Sequence, residues 1–169
     1  MAEVNPHRRS GLWMLGIAWL LILGGGWWVA SHWMAAQDNP NQRVAAQGDG
    51  SVVLARNRAG HYVANGEING RPVTFLVDTG ASDVALSTAL AQELGLKRGA
   101  AVTFVTANGE STGFETRLDT VHLGAIVVHD VRASYADGML PDQVLLGMSF
   151  LKHLEFTQRG EELILRPMK

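Results

Sequence analysis

The sequence predicts an all-β domain, a barrel or sandwich of many short strands with one or two short helices, carried behind an N-terminal membrane helix. Three observations predict it. Residues 11–30 contain no charged side chain. After residue 50, apolar strand-like runs alternate with turn signals at near-regular spacing, two of them Asn-Gly. One such run, Phe75-Leu76-Val77, leads straight into Asp78-Thr79-Gly80, a tripeptide that occurs once in the 169 residues.

The chain divides into four parts. Residues 1–10 are a short N-terminus, and residues 11–33 read as a transmembrane anchor. Twenty helical residues at about 1.5 Å each span roughly 30 Å, the thickness of a bilayer's hydrocarbon core. Trp13, Trp27, Trp28 and Trp33 lie near its ends, where amphipathic rings favour the headgroup level. A cleaved signal peptide is the competing reading, because His7, Arg8 and Arg9 form a basic front end. Against it, a signal core is only about 7–15 residues long, and no clean small-x-small cleavage site follows. Arg8 and Arg9 precede the span, whereas residues 33–52 hold Arg43 alone as a cation. The positive-inside rule then leaves the N-terminus in the cytoplasm and exports the rest. In a bacterium this means an inner-membrane, single-pass protein facing the periplasm.

Residues 34–50 are small and polar, with Pro40 and two glycines, and read as a linker. Residues 51–169 have the size of one domain. A first hairpin is expected over residues 61–68 and 71–77, around Asn69-Gly70. Ser87 can cap a short helix over residues 88–94 that Gly95 stops. Asn108-Gly109 joins strands at 101–106 and 111–118, and Gly124-Ala125 joins strands at 118–123 and 126–134. Val144-Leu145-Leu146 is a short apolar strand that meets Gly147, followed by a helix over residues 148–154. Residues 162–166 close the chain as a strand.

Composition removes several function classes. A formal net charge of −2 gives no basic footprint for nucleic acid. With no cysteine, disulfides and thiolate metal sites are excluded. His122 and His129 have no acidic partner placed to complete a metal site, so no metal and no cofactor are expected.

The stretch Phe75-Leu76-Val77-Asp78-Thr79-Gly80-Ala81-Ser82, with Val144-Leu145-Leu146-Gly147 downstream, resembles the retropepsin-like aspartic proteases. These are the single-lobe relatives of retroviral protease, and the likeness is greatest to a small bacterial membrane-anchored branch. It covers residues 60–167. The resemblance implies a small closed β-barrel and an aspartic endopeptidase with Asp78 as its catalytic carboxylate. Gly80 then permits a tight turn and close approach of a second loop, while Thr79 bonds across to it. Leu145, Leu146 and Gly147 cross behind the loop and support it. Thr106, Ala107, Asn108 and Gly109 fall at the flap, the hairpin that covers substrate.

Two carboxylates about 3 Å apart share one proton, and that chemistry needs both. One Asp-Thr-Gly is half a site, so the resemblance implies a homodimer acting on a peptide or protein substrate. Retroviral members often have two acidic residues after Asp-Thr-Gly-Ala; here these positions are Ser82 and Asp83, so substrate preference does not transfer. A non-catalytic peptide-binding or scaffolding β-domain of the cell envelope is the alternative reading.

Overall fold

The computed structural model describes residues 7–45, 47–106, 109–139 and 143–168. The chain forms two compact units, residues 1–37 and 38–169. The first is the body of a single helix, α1 (His7–Asp38). Nearly all of its described side chains are exposed, and from Trp13 to Asp38 it is long and apolar enough to cross a membrane. It runs beyond the apolar stretch because Met34-Ala35-Ala36-Gln37 are good helix formers, and no breaker comes before Pro40.

The second unit is β-rich. Its first hairpin is β2 (Val63–Ile68) and β3 (Arg71–Val77). Asn69 and Gly70 between them have φ of 52° and 79°, the paired positive angles that this two-residue turn requires. The hairpin belongs to a closed ring of six strands. From β3 the order continues through β8 (Gln143–Leu146), β4 (Val84–Ser87), β7 (Ile126–Ala136) and β6 (Gly109–Leu123). The ring closes where Glu67 and Ile68 of β2 pair with His122 and Val121 of β6. An additional strand, β5 (Ala101–Thr106), pairs with the first part of β6. The all-β closed barrel expected from the sequence is the fold observed.

One strand differs from expectation. Residues 109–123 form a single 15-residue strand rather than two strands meeting at Leu118. Nothing between Gly113 and Gly124 breaks the backbone, and β7 pairs along nearly that whole length. Three short strands carried no sequence signal: β1 (Val52–Ala55), β4 and β9 (Leu154–Arg159). With β10 (Glu162–Pro167), β1 and β9 make a separate antiparallel sheet in the order β1-β10-β9.

Two helices complete the unit. In α2 (Thr88–Glu93), Ser87 is the N-cap and its Oγ accepts from the Leu90 amide at 3.1 Å, as expected. The other, α3 (Met148–Leu151), is a single turn, because the chain enters β9 at Leu154. Phe75, Phe150, Leu86, Leu118 and Leu146 fill the barrel interior with no exposed surface. Each such side chain contributes about 1.5–3 kcal/mol on burial.

Residues 39–44 lie on the barrel surface, held by hydrogen bonds that join Asn39, Asn41 and Gln42 to Asn65 and, most deeply, by the Asn41 side chain. Asn41 is buried, and its Nδ2 donates to the carbonyls of Ala55 (2.8 Å) and Val63 (2.7 Å). Its Oδ1 accepts from the Ala55 amide at 2.7 Å. Asn41 thereby bonds main-chain groups at the end of β1 and the start of β2, which pair with β10 and β3 but not with each other.

Candidate active site

The site is built where two parallel strands end together. Phe75, Leu76 and Val77 of β3 lie beside Val144, Leu145 and Leu146 of β8, so Asp78 and Gly147 leave the barrel at the same edge. The Asp78 amide donates to the Leu146 carbonyl at 3.2 Å, which fixes the start of the loop. Within the loop, the Gly80 amide donates to Asp78 Oδ1 at 2.9 Å and the Ala81 amide to the Asp78 carbonyl at 3.3 Å. One carboxylate oxygen is therefore oriented by the main chain. Asp78 is half-buried, while Thr79 and Gly80 are exposed at the loop tip.

The far side of the loop is held by the start of α3. The Met148 amide donates to the Ala81 carbonyl at 2.8 Å, and the Ser149 amide to the Ser82 carbonyl at 2.9 Å. Gly147 lies between them at a distance no other residue tolerates. A Cβ there would stand 2.2 Å from the Asp83 carbonyl oxygen and 2.6 Å from that of Ala81. Among the expected site residues, the structure thus brings Asp78, Thr79, Gly80, Ala81, Ser82 and Asp83 together with Leu145, Leu146 and Gly147. Thr106 pairs with Gly109 at the end of the β5–β6 hairpin, while Ala107 and Asn108 lie outside the described residues.

Three residues with no sequence signal belong to the same cluster. Ser149 is buried; its Oγ donates to the Arg132 carbonyl at 2.7 Å and accepts from the Val84 amide at 3.1 Å. It ties α3 to both β4 and β7. Arg132 Nε donates to Asp83 Oδ1 at 2.7 Å, with the Asp83 side chain only 21% exposed. Met148 meets the loop through its amide. These partners come from far along the chain: the β3–β8 pairing brings Met148 and Ser149 to the loop, and the β4–β7 pairing brings Arg132.

The arrangement offers one carboxylate, fixed by the backbone at the end of β3, in a loop whose tip is open. The profile of the family described as "gag-polyprotein putative aspartyl protease" matches residues 64–153, which contain every element just described. This chain belongs to the retropepsin-like aspartic protease family. A crystal structure of a retropepsin-like aspartic protease from Rickettsia conorii is similar to it with a TM-score of 0.59 and 38% identity, covering 69% of this chain and 89% of that one. Two curated relatives are uncharacterized proteins. One, from the cobV 5' region of a Sinorhizobium species, is 38% identical over 72% of this chain and 54% of its own length. The other, from Rickettsia prowazekii, is 34% identical over 69% of this chain and 51% of its own length. This retropepsin-like chain spans about half the length of those two relatives.

Proposed function

We propose that the protein is a membrane-anchored aspartic endopeptidase that acts as a homodimer, with its catalytic domain on the periplasmic side of a bacterial inner membrane. The observation that carries the reading is the Asp78 loop: a carboxylate oriented by the Gly80 amide at 2.9 Å, behind a tip where Thr79 and Gly80 are open to solvent. A second copy supplies the other carboxylate. The two Asp78 groups share one proton across a two-fold axis. The ionised one takes a proton from a water, whose oxygen bonds to the substrate carbonyl carbon. The protonated one gives its proton to the carbonyl oxygen. The C–N bond of the resulting tetrahedral carbon then breaks as the carboxyl that took the water's proton gives it to the departing amine, while the other carboxylate takes a proton from one hydroxyl and restores the shared-proton pair.

Two further observations favour a dimer. The exposed loop tip is a surface that a partner's loop can cover. The outer edge of β9 pairs with no described strand, and its residues from Glu155 to Arg159 are all exposed. The anchor rests on the length and apolarity of α1 from Trp13 onward, and the orientation on Arg8 and Arg9, in the first turn of α1 ahead of that apolar part. Its α-helical hydrogen bonds are internal, which suits lipid. The β5–β6 hairpin is assigned as the flap.

The test is to mix wild-type protein with excess Asp78→Asn protein in one membrane or micelle. The variant should suppress wild-type proteolysis by forming mixed dimers that lack one carboxylate. Full wild-type activity in the mixture would remove the dimeric mechanism, and activity of the variant alone would remove Asp78 as the catalytic group.

A further inference from the structure

Beside the Asp78 loop is an open cavity of about 700 Å³ whose rim includes Thr79, Gly80, Ala81 and Ser82. Its opposite wall comes from β6, β7, α3 and the residues just after α3, and carries three cations, Arg117, Arg132 and Lys152, with the imidazoles of His129 and His153. Asp130 is the one carboxylate in the lining. The charges do not cancel. Arg117 is paired with Asp130, and Arg132 with Asp83 from the loop's own continuation. Lys152 is exposed and makes no ion pair among the described residues. The wall therefore presents one unmatched fixed cation beside two imidazoles, with no unmatched carboxylate among the lining residues.

The same pairs bear on the residue that follows the loop. Asp83 is the only carboxylate just after Asp-Thr-Gly, and its Oδ1 is taken by Arg132 at 2.7 Å. A carboxylate engaged in this way offers little to a cationic group of a bound peptide. Immediately beyond it, the surface is positive instead. We infer that this cavity receives an acidic side chain of the substrate, so that the enzyme prefers peptides carrying Asp or Glu a few residues from the cleaved bond, with Lys152 as the residue that sets the preference. The inference rests on the protease reading above and deepens it by naming a substrate class.

The expected size is modest, because the cavity is open to solvent. An exposed ion pair contributes about 0.2–1 kcal/mol, so exchange of Glu for Gln in the peptide should change kcat/KM by roughly 1.4- to fivefold. The experiment uses the full-length protein in detergent micelles and a peptide series in which each position flanking the cleaved bond is in turn Glu, Gln or Lys. Wild type should favour Glu over Gln over Lys at one or two adjacent positions. Lys152→Gln should flatten that order, and Lys152→Glu should reverse it. Both substitutions are at an exposed side chain, so neither disturbs the core.

Binding of the same peptides to the Asp78→Asn protein, read by fluorescence anisotropy, separates the two readings. A Lys152-dependent preference for Glu in binding, with no cleavage by wild type, would support this inference and overturn the protease reading. Equal treatment of Glu and Lys peptides at every position, in cleavage and in binding, would overturn the inference. So would a uniform loss of activity in Lys152→Glu that is restored at high protein concentration, because the cavity would then face the second copy of the chain rather than the substrate.

Discussion

The Asp78 loop and the segment at Asn41 both cross the domain outside its main strands, and they are held in opposite ways. The loop is fixed through its backbone: amides and carbonyls of Asp78, Ala81 and Ser82 bond to Leu146, Met148 and Ser149. The side chains of Thr79 and Ser82 are left exposed, and Asp78 keeps access to solvent. Around Asn41 it is a side chain that holds, buried and bonded to three main-chain groups. On the proposed reading, a segment built for chemistry keeps its functional groups free and is positioned by everything else. A segment built to hold its neighbours uses up its polar groups internally.

The contrast is broken or sharpened by substitution. The largest effect should come from Asp78→Asn in the purified full-length protein. Proteolysis should fall by at least about 10²–10⁴-fold, the usual worth of a positioned acid or base, while the melting temperature should stay near that of wild type. A large drop in thermal stability would show that the loop holds the fold as well. Gly147→Ala sits where the two roles meet. Its Cβ would strike the Asp83 and Ala81 carbonyls, so it should cost about 1–3 kcal/mol by denaturant titration and remove most activity with it. Unchanged activity in that variant would mean that the loop tolerates displacement.

Asn41→Ala should behave as the inverse of Asp78→Asn. It strands buried main-chain groups at Ala55 and Val63, which should cost about 1–3 kcal/mol, while kcat/KM of the folded protein stays unchanged. Loss of activity out of proportion to unfolding would contradict the division of labour. The smallest effect belongs to Asp49. Hydrogen bonds from the Ser51 side chain and amide, with help from Arg166, hold its carboxyl below the usual aspartate range, and they do so against a small opposing effect of burial. A lowered pKa stabilises the fold above the ordinary aspartate value and loses that stabilisation as the pH falls through the folded-state value. Wild type should therefore melt slightly above Asp49→Ala at neutral pH, and the gap should shrink below about pH 4. A gap that widened in acid would reverse the assigned sign.

Legibility followed the range of the interactions. The Asn69-Gly70 turn, the Ser87 cap and the Phe75-Leu76-Val77 run declare themselves within a few residues, because the physics that forms them is local. Asp78-Thr79-Gly80 is readable for the same reason, since consecutive residues carry both the carboxylate and the turn that aims it. Pairing across the barrel is not local. Four-residue strands such as β1 and β4 have too little sequence to show a period and exist because their partners do. Ser149 looks like any helix serine until β4 and β7 come to lie beside it, and Asn41 like any loop asparagine until two strand ends need its amide. Arg132 is an ordinary strand cation until Asp83 faces it.

The bond between the Val84 amide and Ser149 Oγ joins residues 65 apart, and the β3–β8 pairing spans a similar stretch. Such distant contacts form late, because the chain between them loses its freedom before they are made. During synthesis, Asp78 emerges well before the residues that set its loop. A chain halted before Met148 should carry the whole Asp-Thr-Gly motif and cleave nothing, which release of nascent chains of graded length can test. The order of the polypeptide thus acts as a timer, and competence arrives only once residues 147–149 have been made.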